Sequence, residues 1–289
     1  MNVRIEDDSK KQKNMKIFYI TIITICIIAI IATLVIQIAK ENKPYSQGKN
    51  ETSTGQKPTE ILESSEYKEK FYSIFENKTH YLENNAYKID KIDDSKEIIY
   101  VGYANNESKT EDYDLDVNIP YINIKSDVIE EFNKQIKDVF EQKARSVLNT
   151  ANNNIIYTVN YSAYISNNIL SLVVRSTLKE GGNPQREIVQ TYNYDLENQK
   201  ICTIDELLEL KQISKKDATQ KIKDEIKEEQ QRVEELANLG YTVYQRDYTS
   251  DIYNVNNATE YFLGENNTLY IVYAYGNENN TSEMDIIIM

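Results

Sequence analysis

The residues able to do chemistry in this 289-residue chain are few and poorly spaced for it. There is one histidine, His80, and there are two cysteines, Cys26 and Cys202. A zinc site of the usual kinds draws on several His or Cys ligands, and an HExxH helix needs two His on one face. A Cys202–His80 nucleophile pair would join a strand residue to a linker residue, whereas a nucleophile and its base must lie within hydrogen-bond reach. No GxSxG elbow, P-loop or GxGxxG turn occurs, and Gly181-Gly182 alone reads as a turn. Two carboxylates suffice for glycoside hydrolysis, yet among 46 acidic residues the sequence nominates no pair. Asp112, Asp114 and Asp116 imitate the start of a calcium loop, which then demands Gly at 117 and Glu at 123. Val117 and Asn123 stand there, so the trio reads as the exposed face of a strand. No metal, no cofactor and no enzymatic activity is expected.

Tyrosine is the one unusual binding resource, with 23 copies and no Trp. It offers a large apolar contact and a hydroxyl at low entropy cost, which suits recognition surfaces. Clusters fall at Tyr157, Tyr161 and Tyr164, at Tyr241, Tyr244 and Tyr248, and at Tyr270, Tyr273 and Tyr275. Excess Lys, Asn, Ile and Tyr also fits AT-rich coding, and β propensity makes sheet packing the ordinary role for each ring.

Residues 17–39 are an unbroken apolar run without charge, Gly or Pro, about 35 Å long as a helix and enough to cross a bilayer core of about 30 Å. The tail 1–16 carries Arg4, Lys10, Lys11, Lys13 and Lys16 against Glu6, Asp7 and Asp8, which favours a cytoplasmic N-terminus and an exported remainder. A cleaved signal peptide would have a shorter apolar core and a small-x-small site, and Gln37 is too large for that pattern. With −13 overall and +2 in the tail, the rest carries −15. Such a surface repels nucleic acid and suits a cationic partner, although solubility alone also favours it. Cys26 and Cys202 fall on different sides of the expected membrane boundary, so the exported part must be held by its core alone.

Residues 40–95 read as a polar tether with a short amphipathic helix over 59–75, and the folded domain as 96–289. Strands are expected at 98–103 and 114–124, the second with Pro120 marking an edge or bulge. A helix follows over 126–149, with a capping-box-like start at Asp127 and Glu130. A hairpin of 155–165 and 169–178 turns at Asn167-Asn168. Further strands at 187–196, 261–263, 269–275 and 283–289 surround a helix capped by Ser214 and stopped at Gly240. The pattern is α+β: a mainly antiparallel sheet with two long helices.

Several phrases resemble a known module. The strand ending Val117-Asn118-Ile119-Pro120-Tyr121 before an amphipathic helix is similar to its first half. Gly181-Gly182-Asn183-Pro184, Thr191-Tyr192-Asn193-Tyr194-Asp195-Leu196 and Thr203-Ile204-Asp205-Glu206-Leu207-Leu208 resemble its second half. Ala274-Tyr275-Gly276 and Ser282-Glu283-Met284-Asp285 resemble its last strands. This is the RsiV-like extracytoplasmic domain family, found in a lysozyme-sensing anti-sigma factor and at the front of a peptidoglycan deacetylase. The resemblance spans 96–289 and implies a recognition domain for lysozyme, another cationic protein or wall material. Its binding surface would include Gly181, Gly182, Asn183, Pro184, Arg186, Tyr192 and Tyr194. Three departures stand out. Residues 1–16 are short for a sigma-factor clamp, the glycine turn continues Asn183-Pro184 rather than Ala-His, and no deacetylase domain follows. The first expectation is therefore a single-pass, membrane-anchored recognition domain at the cell membrane. An anti-sigma-type transmembrane sensor is the alternative, and an enzyme on wall glycan the second alternative.

Overall fold

A computed structural model describes residues 64–82, 89–150, 153–276 and 281–289 of the chain. The expected tail 1–16 and membrane span 17–39 lie outside the described residues, among which no helix is long and apolar enough to cross a membrane.

The fold starts upstream of residue 96. Helix α1 (Ser64–Lys70) and a 3-10 turn (Phe71–Ser73) bury Tyr67 and Phe71. Strand β1 (Lys78–Tyr81) then pairs in parallel with β4 (Ile155–Ser166), His80 opposite Tyr164. Asn77 fixes the entry: its amide donates to Asn160 Oδ1 at 2.8 Å, and its own Oδ1 accepts from Tyr161 N at 3.0 Å. The expected tether boundary is corrected accordingly. A polar stretch carrying two aromatic anchors gains enough burial to order it.

β2 (Ile99–Lys109) and β3 (Tyr113–Ile122) form a hairpin longer than the periodicity implied. A bulge at Val101/Tyr103 lies opposite Pro120 and Ile119, and β3 pairs with β4 only over Tyr113–Val117. Pro120 thus sits where one side of the strand needs no donor. Gly102 is required there, because a Cβ would come within 2.6 Å of the Tyr121 ring.

Helix α2 (Asp127–Ile136) passes through a π-helical segment (Lys137–Glu141) into α3 (Gln142–Val147). Its start lacks the expected side-chain cap. The reciprocal capping box forms instead at Thr203 and Glu206, opening α4 (Ile204–Leu210). α5 (Lys215–Asn238) begins at Ser214, whose hydroxyl accepts from Asp217 N at 3.1 Å.

The large sheet runs β2-β3-β4-β5-β6-β7, with β1 on the far half of β4. Its later members are β5 (Ile169–Glu180), β6 (Arg186–Asp195) and β7 (Lys200–Ile201). Asn167 and Asn168 take φ of 49° and 64°, the left-handed geometry of a two-residue hairpin turn. The small sheet is β10-β9-β8, from β8 (Glu260–Leu263), β9 (Leu269–Ala274) and β10 (Met284–Ile288).

Three buried clusters stack these elements in layers. Leu115, Val117, Val159, Leu172 and Val174 of the large sheet pack on Ile129, Ile136 and Phe140 of the α2–α3 side. Tyr164, Val173 and Val189 meet Phe262, Tyr270 and Val272 of the small sheet, with Tyr67 and Phe71 wedged beside them. Alternate residues Leu263, Leu269, Ile271 and Ile287 face α4 and α5 through Leu207, Ile222 and Ile226. The architecture is α+β with a mainly antiparallel sheet, and only the β1–β4 and β3–β4 pairs of the large sheet are parallel among the described residues.

Candidate functional site

The residues singled out from sequence fall into two groups. Gly181, Gly182, Asn183 and Pro184 form the exposed β5–β6 turn, with Gly181 at φ +53°. Gly181 and Asn183 line a hollow of about 280 Å³ with Lys143, Ser146, Val147 and Thr150. Glu180 sits beside it, bridged to Lys143 at 2.7 Å and ion-paired with Arg186. The Lys143 hydrogen bond, then its charge and that of Arg186, hold the Glu180 carboxyl below its usual range. Tyr192 and Tyr194 are elsewhere, 4 % and 1 % exposed inside the α2–α3 core. Tyr192 packs on Phe132 at 5.0 Å, so neither ring forms an accessible face. Pairing with β5 set those two inward, a parity that the alternation of the strand carried but did not sign.

A larger groove lies along β10. One wall is α1 and the following turn, through Lys68 and Tyr72. The other is α5, where Glu225, Glu228, Glu229 and Arg232 recur at helical spacing on one face. Met284, Asp285, Ile286 and Ile287 make the floor of this cavity of about 460 Å³. Lys68 reaches across to Glu225, and Arg232 pairs with Glu229. Glu228 is exposed and enters no ion pair among the described residues.

Behind the floor sits a buried charge cluster. Arg246, its side chain 2 % exposed, donates to Asp285 at 2.6 Å, to Glu283 at 3.0 Å and to the Tyr244 carbonyl at 3.0 Å. Tyr275 donates its hydroxyl to Asp285 at 2.7 Å and stacks on Tyr244 at 4.2 Å. Burial pushes the Asp285 carboxyl up, against the pull of Arg246 and Tyr275. The guanidinium outlasts its own desolvation because Asp285 and Glu283 hold it charged. The cluster fixes the end of α5 and the loop after it against β10.

A third hollow, about 300 Å³, opens between β6 and β9 beside Glu260. Thr191 donates its backbone N–H to Glu260 Oε2 at 2.7 Å and its hydroxyl at 3.2 Å. Burial nevertheless pushes that carboxyl up to about 7. Glycoside hydrolysis needs a second carboxylate across the bond, and the described lining of this hollow supplies Gln190, Asn257, Thr259, Tyr273 and Tyr275 instead.

The Cys202 thiol is buried and pushed up to about 12 by desolvation, then by Glu206 and Asp195, which disables it as a nucleophile. His80 stacks on Tyr164 at 4.8 Å, and burial lowers its imidazole. Asp114 and Asp116 are exposed along β3, as a strand face, while Asp112 is buried and paired with Lys109 at 2.6 Å. Sequence reasoning missed Lys68, Glu228, Arg246 and Glu260. The acidic face of α5 was readable at its i, i+3, i+4 spacing, whereas Arg246 lies in a loop whose partners are 37 and 39 residues away.

No family model and no curated protein matches the chain. It is similar to a solved DUF3298 family protein from Pseudomonas aeruginosa, at 10% identity and a TM-score of 0.37, over 63% of this chain and 83% of that one. A DUF3298 family member from Bacteroides fragilis is similar at 10% identity and a TM-score of 0.29, over 61% of this chain and 80% of that one.

Proposed function

We propose that the chain is a membrane-anchored recognition protein whose exported α+β domain binds a cationic protein ligand, with lysozyme as the first candidate. The observation that carries this reading is the groove between α1 and α5. Glu225, Glu228, Glu229 and Asp285 line it against Lys68 and Arg232, and it opens on a chain of net charge −13. Complementary charge of this kind raises encounter rates and selects the sign of the partner. The resemblance of residues 96–289 to the RsiV-like module supports lysozyme in particular, and the apolar run 17–39 supports the anchor. Exposed turn residues Gly181, Gly182, Asn183 and Pro184, with Arg186, are a second contact region in the same reading. Tyr192 and Tyr194 act as core.

The test is calorimetric titration of c-type lysozyme into the detergent-solubilised full chain at low and moderate salt. Micromolar or tighter binding that survives moderate salt supports the reading, and Glu228→Lys then weakens it about tenfold. Absence of heat at both salts contradicts it.

A further inference from the structure

β10 is an edge strand whose second side is open. Along an antiparallel ladder, residues that exchange both backbone bonds with the neighbour alternate with residues whose N–H and C=O point away. Met289 exchanges both bonds with Leu269, at 2.8 and 3.3 Å, and Glu283 O accepts from Tyr275 N at 3.1 Å. The odd-numbered positions therefore face β9, and Met284, Ile286 and Ile288 turn their N–H and C=O outward. Among the described residues no hydrogen bond meets those groups. Folded proteins ordinarily cover or block such an edge, because it templates pairing with another strand.

Here the edge is walled but not covered. The cavity of about 460 Å³ lies over Met284, Ile286 and their neighbours. A second, of about 290 Å³, adjoins Ile288 between Ser64 and Tyr67 of α1 and Lys221 of α5. The Lys68–Glu225 pair crosses from wall to wall, one helical turn on from Ser64 and Lys221. Lys68 is 38% exposed, and an ion pair this open to water is cheaply exchanged for another.

We propose that this groove takes an extended, Lys- or Arg-bearing peptide strand of a partner protein, which adds to β10 as the fourth strand of the small sheet. The three outward residues set a contact five residues long, about 13 Å at strand spacing. Side chains of the added strand alternate between the two walls. Beside Met284 and Ile286, those on the α5 side meet Glu225, Glu228 and Glu229, which outnumber Arg232 on that wall and select basic residues. Those on the α1 side meet Tyr72, Met284 and Ile286, which selects apolar ones. The strand sequence that fits is therefore basic and apolar in alternation. A second copy of this chain is disfavoured as the occupant by like charge across the acidic wall.

This inference shares its groove with the reading above but rests on backbone pairing, and the experiment separates the two. The probe is a fluorescein-labelled Lys-Val-Lys-Val-Lys-Val-Lys peptide, titrated by anisotropy into the full chain in a zwitterionic detergent. The expected result is micromolar binding, with slowed hydrogen exchange at the amides of Met284, Ile286 and Ile288. The same peptide N-methylated at alternate residues binds at least tenfold more weakly. Ile286→Pro also binds at least tenfold more weakly, since its N–H serves no bond to β9 and the ladder survives the change. If that variant fails to fold, the N-methylated peptide decides alone. No binding of the Lys-Val peptide, equal binding of its N-methylated form, or unchanged exchange at β10 overturns the inference. So does a chain dimer that Ile286→Pro dissociates. Lysozyme titrated into Ile286→Pro keeps the two apart: retained lysozyme heat with lost peptide binding leaves both standing as separate contacts. Peptide binding without lysozyme heat removes only the functional reading.

Discussion

The two sides of the large sheet are held together differently. On the α2–α3 side the core of the contact is apolar, with Leu115, Val159, Ile129, Ile136 and Phe140 all at 0 % exposure, and polar bonds such as Asn133 to Ile122 at 2.8 Å lie at its margin. On the other side buried polar groups add to the apolar cluster that joins the small sheet. Ser171 accepts from Leu263 N at 3.1 Å and donates to Asn193 at 2.7 Å, and Asn193 donates to Tyr261 O at 2.7 Å. Glu260 and the Arg246 cluster lie on this side too, as does the long groove. Apolar packing is nondirectional and tolerant of small shifts, whereas hydrogen-bonded ions fix one geometry. Under the proposed function, the α2–α3 side serves as scaffold and the small-sheet side carries the binding surface.

The sharpest break in that contrast is expected from the scaffold. Phe140→Ala should cost about 4 kcal/mol in urea unfolding, through lost burial and the cavity left behind. It should leave ligand affinity unchanged in the fraction that remains folded. Arg246→Met should cost about 3 kcal/mol, because Asp285 and Glu283 lose their counter-charge while staying enclosed. Unlike Phe140→Ala, it should also weaken lysozyme binding, since the α5 wall loses its anchor to β10.

Glu260→Gln probes the same side through pH. A carboxyl at about 7 in the folded chain and 4.5 as its reference binds its proton more tightly when folded. Its contribution is intact below pH 4.5 and is lost as pH rises through 7. The Gln variant, which cannot ionise, should match the native chain at pH 4 and exceed it by about 3 kcal/mol at pH 8. A stability difference that stayed flat across that range would remove the buried-acid account. The smallest effect on stability belongs to Glu228→Lys, an exposed change expected within about 0.5 kcal/mol of native. Its effect should appear in ligand affinity rather than in stability.

Much of the fold was readable because the apolar period is strong where elements are half-buried. The stripe Ile129, Phe132, Ile136, Phe140 and Val147 is buried as its spacing implied. The Asn167-Asn168 and Asn266-Asn267 turns take positive φ, the conformation Asn tolerates best. What escaped was non-local. Residues 64–81 read as polar tether with a short helix over 59–75, and their place in the folded domain escaped because their partners, Tyr164, Phe262 and Tyr270, are roughly eighty to two hundred residues away in sequence. Expecting Tyr192 and Tyr194 at a surface required the sign of the strand's alternation, which only pairing with β5 sets. The groove was invisible for the same reason, since its walls come from the first and last α-helices described and its floor from the final strand.

The most direct test of the account is the hydrogen-exchange footprint of c-type lysozyme on the full chain at moderate salt. Slowed exchange across β10 and the α5 segment from Glu225 to Arg232, with the α2–α3 side unchanged, is the predicted result. A footprint confined to the β5–β6 turn, or none at saturating lysozyme, would contradict recognition through the groove.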